Sequence, residues 1–80
     1  MTAVVFAHKL DLRGLRRPQP LLELADALIH ARRGDLLEVL TTDPSSVQDF
    51  ALWSVSTCND LIESSQFGNA YRFVVRKRAD

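Results

Sequence analysis

The apolar pattern of this chain changes period abruptly near residue 14, from two residues to roughly 3.6, and that switch fixes the kind of fold it can adopt. In "VVFAHKLDL", Val4, Phe6, His8, Leu10 and Leu12 fall on one side and Val5, Lys9 and Asp11 on the other, the alternation of a strand with one buried face. After Gly14, "PQPLLELADALIHARRGD" sets Leu21, Leu24, Ala25, Leu28 and Ile29 at helical spacing. The predicted helix runs from about Pro18, whose missing N–H costs nothing at the first helical position, to about Arg33. Arg32 and Arg33 then lie in the last turn, and Gly34 closes it.

The same switch repeats. "LLEVLTT" reads as a central strand buried on both faces. In "TDPSSVQDFALWSVSTCNDL", Asp43 is the expected N-cap and Pro44 the first helical residue. Val47, Phe50, Ala51, Ser54, Val55 and Cys58 follow as the inward stripe. "DLIESSQF" and "YRFVVRKR" form an expected antiparallel hairpin with its turn at Gly68-Asn69. The order is βαβαββ. With 80 residues there is room for one domain, 1–80, and its compact solution is an α+β two-layer sandwich, a four-stranded mixed sheet under two helices.

Ten Lys and Arg balance ten Asp and Glu, so long-range attraction to nucleic acid or an anionic membrane is not built in, and neither is an expected partner. One cysteine excludes an internal disulfide and lacks zinc-ligand neighbours, which suits a reducing compartment. "MTAVVFAHKL" lacks the order of a signal peptide, and no apolar run approaches ~20 residues. The expected location is the cytoplasm. His8 and His30 read as a half-buried strand residue and a surface helix residue, with no metal or cofactor site. Asp43, Asp49, Asp60 and Glu63 are assigned capping or solvated roles, Trp53 a half-buried helix position, and the tail Arg76 to Arg78 solubilising charge along a sheet edge.

"LDLRGLRRPQPLLEL", "GDLLEVLTTDPSSVQDFALW" and "YRFVVRKR" resemble, in order and spacing, the bacterial sulfur-carrier proteins of the TusA and SirA-like family over nearly the whole chain. The resemblance implies that both helices share one face of the sheet. It implies sulfur transfer from a cysteine desulfurase or similar donor toward transfer-RNA thiolation or other sulfur pathways, and hence a sulfur-donor or sulfur-acceptor protein as partner. The family signature at the first strand-to-helix junction is Cys-Pro-x-Pro. A thiol there meets free amides and the positive helix end, which lower its pKa and populate the nucleophilic thiolate. This chain has Arg17-Pro18-Gln19-Pro20 at that junction. A guanidinium has no nucleophilic lone pair, so the catalytic role does not carry over.

Relatives with Thr-Gly-His-Glu-Leu near the end of the second helix contrast with Thr57-Cys58-Asn59-Asp60-Leu61, where Asn59 is expected to take the left-handed cap. Cys58 is read as a small buried thiol, on the order of 20 Å from Arg17 at ~1.5 Å rise per helical residue. Arg13, Arg16 and Arg17, beside Pro18 and Pro20, form the candidate binding junction, with phosphate, sulfate or a partner carboxylate as the expected anion at the first helix N-terminus. The leading expectation is a family member without sulfur transfer, kept as a binding or regulatory module. The alternative is a working sulfur carrier, through Cys58 or in a form of the chain with cysteine at position 17. A small RNA-binding domain is a third reading, one whose binding would fall at moderate salt.

Overall fold

The computed structural model describes residues 5–78. Its elements run β1 (His8–Leu12), α1 (Gln19–His30), β2 (Leu36–Thr41), α2 (Ser46–Thr57), β3 (Asp60–Phe67) and β4 (Ala70–Arg76), the expected βαβαββ order. The single four-stranded sheet has the order β1-β2-β4-β3. Strands β1 and β2 are parallel across the α1 crossover, and β4 runs antiparallel to both β2 and β3. Phe67 faces Ala70 across the two-residue Gly68-Asn69 turn, as the hairpin reading required. Val4, placed on the inward side of the first strand from sequence, lies outside the described residues.

Alternation decides which side of the sheet is dry. Leu37, Val39 and Thr41 of β2 and Phe73 and Val75 of β4 are buried against Leu24 and Leu28 of α1 and Phe50 of α2. The Phe50 and Phe73 rings meet at 4.5 Å between centroids, tilted by 46°. On the opposite face of β2, Leu36, Glu38 and Leu40 are only half-buried, so the expectation of burial on both faces holds for one. That open face carries an ion network in which Arg72 bridges Glu38 (2.8 Å) and Glu63, with the guanidinium 5.7 Å from the Phe6 ring centroid.

Both helices are shorter than expected, for identifiable reasons. Ala31 turns to extended backbone (φ −83°, ψ 155°) and its N–H reaches back to Leu28 O, ending α1 before Arg32. Gly34, at φ +84°, instead serves the following turn, where Asp35 N–H donates to Arg32 O. The helix packs through Pro20, Leu24 and Leu28, so Ile29, about 100° further round the wheel, is 74% exposed rather than inward.

Ser45, not Asp43, is the N-cap of α2, and Pro44 lies outside the helix. The Asp43 carboxylate accepts the Ser45 N–H (3.0 Å) and hydroxyl (2.8 Å), closing a turn one step earlier. Of the expected inward stripe, Phe50 is buried and Ser54 half-buried, whereas Val47, Ala51, Val55 and Cys58 are exposed. The helix rests on a narrow Ser46, Phe50 and Trp53 edge, and Trp53 is half-buried against the core as expected.

The far end of the molecule departs from the sequence expectation at two places. The left-handed residue after α2 is Cys58 itself, at φ +62°, which presents an exposed thiol in place of the expected buried one. Strand β4 is interior, so its tail is not edge charge: Arg76 pairs with Asp60 (2.6 Å), and Lys77 Nζ donates to Leu28 O (2.6 Å) and Ala31 O (2.8 Å) at the end of α1.

Candidate functional site

Because β1 and β2 are parallel neighbours, the loops leaving their C-terminal ends lie side by side, and each feeds a helix N-terminus. In open α/β sheets that edge is where ligands collect. Here the two loops are stitched together. Gly14, at φ +88°, donates its N–H to Thr42 Oγ1 (2.9 Å), and the Arg17 N–H donates to Asp43 Oδ2 (2.6 Å). Between them is an open cleft of about 340 Å³ lined by Gly14, Leu15, Arg16, Thr42, Asp43 and Pro44.

The three arginines of this junction do not converge. Arg13 folds back on its own strand and grips Asp11 through two nitrogen–oxygen contacts of 2.8 Å. Arg17 reaches across to α2, where its guanidinium pairs with Asp49 at 2.9 Å. Arg16 alone lines the cleft, and its side chain has no hydrogen-bond or ionic partner among the described residues. Arg17, Pro18 and Pro20 instead form a close-fitting seam with Asp43, Ser46 and Asp49. The Arg17–Pro18 peptide bond is cis, Pro18 is the N-cap residue rather than the first helical one, and Pro20 lies in the first turn.

These partners explain how arginines tolerate the positive end of α1. Two prolines remove amide donors, and the Gln19 N–H is taken by Arg16 O at 2.9 Å. The Asp43 and Asp49 carboxylates arrive from the neighbouring loop and helix, supplying the negative charge that a helix N-terminus favours. The Arg17 N–H, followed by the Ser45 N–H and hydroxyl, holds the Asp43 carboxyl below the usual carboxylate range. The Arg13 side chain draws Asp11 down to about 2, and Asp11 in turn raises Arg13.

Sequence reasoning named Asp43 and Asp49 only as capping or solvated acids and missed Thr42 altogether. The available signal was topological: residues just after the second parallel strand must face residues just after the first. Beneath the seam, Thr41 Oγ1 and Ser46 Oγ are buried without a hydrogen-bond partner among the described residues. His30 Nδ1 lies 3.1 Å from Asp26 O, and the described residues contain no cluster of three metal-ligating side chains. Cys58 follows the C-terminus of α2, about 18 Å along that 12-residue helix from the Arg17 seam at its start.

The sequence model of the family described as Sulfurtransferase TusA matches residues 8–77, which takes in every strand and both helices. The chain belongs to the TusA family. It is 38% identical over 72 residues to the sulfur carrier protein TusA of Allochromatium vinosum, covering 90% of this chain and 95% of that one. The sulfur carrier protein TusA of Pseudomonas aeruginosa is 34% identical over 71 residues, covering 89% and 90%. That of Pseudomonas entomophila is 30% identical over 80 residues, covering all of both chains. The TusA-family match thus includes both the Arg17 seam and Cys58. No helix of the described residues is long and apolar enough to cross a membrane.

Proposed function

We propose that this chain is a TusA-family protein without the sulfur-accepting cysteine, acting as a non-catalytic binding or regulatory module in cytoplasmic sulfur metabolism. The observation that carries the reading is the state of residue 17, in Arg17-Pro18-Gln19-Pro20. Its guanidinium pairs with Asp49 (2.9 Å) and its N–H donates to Asp43 (2.6 Å), so the junction is built around a cation that cannot take up sulfane sulfur. The relatives named as sulfur carriers support a protein partner, a donor or acceptor of sulfur. Around the start of α1, the exposed Leu15 and Leu22 and the unpaired Arg16 offer that partner apolar contact and one cation. With Arg13 and Arg17 satisfied internally, the anion proposed for this end is a carboxylate of the partner, held by Arg16. A single free cysteine supports a reducing location.

The test is loading with persulfide sulfur by a cysteine desulfurase, read by intact mass. The expected spectrum shows no stoichiometric addition of sulfur. A second reading, sulfur carriage through Cys58, is favoured by the exposure of that thiol. It places the thiol at the C-terminal, negative end of a helix, which opposes a thiolate. One sulfur per chain on the native protein, lost in Cys58→Ser, would establish that second reading and overturn the first.

A further inference from the structure

The end of the molecule opposite Arg17 gathers charge from three separate stretches of chain. Arg32 and Arg33 come from the α1–β2 turn, Lys77 and Arg78 from the segment after β4, and Thr57 and Asn59 from the α2–β3 junction. Together with Leu28 and Ala31 they line an open pocket of about 570 Å³. Among the described residues four cations and no carboxylate line it, in a chain whose formal net charge is zero.

Helix capping accounts for part of this charge. Lys77 Nζ serves Leu28 O and Ala31 O at the end of α1, and Arg78 donates a guanidinium N–H to Thr57 O (3.3 Å) at the end of α2. Each helix C-terminus is worth roughly −0.5 charge; with Arg78 left to its partners, Arg32, Arg33 and Lys77 against the end of α1 leave a surplus of about +2.5. The carboxylate of Asp35 lies in the same turn, occupied by the Arg32 N–H (2.8 Å) and outside the pocket lining; counting it in full still leaves about +1.5. The side chains of Arg32 and Arg33 have no hydrogen-bond or ionic partner among the described residues. They are two forked donors at the rim of a concave site, and they supply its surplus charge.

We propose that this pocket binds a small phosphorylated ligand carrying at least two negative charges, gripped by Arg32 and Arg33 with Lys77 beside them. A concave pocket at one end suits a compact anion. A nucleic-acid backbone needs an extended basic track, which a chain of zero net charge with Arg13, Arg17, Arg72 and Arg76 in ion pairs does not provide. The site stands whether or not position 17 could carry sulfur, because it shares no residue with the Arg17 seam.

The probe is inorganic pyrophosphate, titrated into the full chain at low salt and followed by amide resonances. The expected result is saturable shifts centred on Arg32, Arg33, Asn59 and Arg78, with the midpoint raised at least about tenfold in the Arg32→Glu/Arg33→Glu variant and unchanged in Arg13→Glu. The neutral Arg32→Gln/Arg33→Gln variant is expected to weaken binding less than the Glu pair, and a native-like spectrum of each variant verifies its fold. Shifts that never saturate, that centre on Gly14 to Leu22, or that keep their midpoint in both double variants would overturn the proposal. An oligouridylate that binds these residues more tightly than pyrophosphate at equal phosphate concentration would overturn it in favour of nucleic acid.

Discussion

The Arg17–Asp49 contact is a cross-brace between the starts of the two helices, and its strength can be worked out before it is measured. The N···O distance is 2.9 Å, with the arginine side chain 66% exposed and the aspartate 14%. With charge centres about 4 Å apart, the bare attraction lies between ~1 kcal/mol in water and ~4 kcal/mol in a surface-like medium. Solvent screening of so exposed an arginine and the entropy of fixing it bring the net coupling to about 0.5–1 kcal/mol. Arg17→Ala should therefore cost about 0.5–1 kcal/mol. Asp49→Ala should cost about 1–2 kcal/mol, because that carboxylate also occupies the first turn of α2 and favours its dipole. In a double-mutant cycle by urea denaturation, the pair should fall short of additivity by the coupling energy, and about 1 M salt should shrink it. Strictly additive losses would refute the cross-brace and leave Arg17 as a solvated surface charge.

Other consequences follow from the same geometry. Phe50→Ala empties the centre of the helix–sheet contact and removes the ring packed on Phe73, so it should cost about 3–5 kcal/mol, seen as a large drop in the denaturation midpoint. Lys77→Met keeps the aliphatic stem but removes two donors from the last carbonyls of α1, and should cost about 1–2 kcal/mol with faster exchange of the amides near His30. Asp43 has a lower pKa folded than its ordinary 3.8, so the unfolded chain takes up that proton first as pH falls. Its stabilisation is full above the unfolded value and disappears on passing through the folded one, and acid titration of stability should be flatter in Asp43→Asn.

The strands, their order along the chain and the hairpin turn were legible because period-two runs and a Gly-Asn pair are local signals. Helix ends were less so. Gly34 and Asp43 carry the chemistry of a stop and a cap, but the backbone used each for a tighter neighbouring turn. Ala31 ended α1 early because Lys77, distant in sequence, was available for its last carbonyls. The exposure of Cys58 was hidden for a related reason: it continues an apolar spacing, yet it falls one residue past the helix, in the left-handed position. At the candidate site, the arginines were visible in the sequence and their partners were not. Pairing Arg17 with Asp49 spans 32 residues and requires two parallel strands to bring two helix starts together. The basic pocket at the other end joins three segments in the same way, and no single stretch announces it.

The central claim, that the family's junction persists while its sulfur chemistry does not, is tested most directly by restoring the thiol. The native chain and Arg17→Cys/Cys58→Ser are exposed in parallel to a cysteine desulfurase with its substrate, and the intact masses are compared. The account predicts no added sulfur on the first and one sulfur on the second, whose thiol stands before Pro18-Gln19-Pro20 at the start of α1. An unloaded second variant with a native spectrum, or a native chain that loads through Cys58 as readily as that variant, would contradict it.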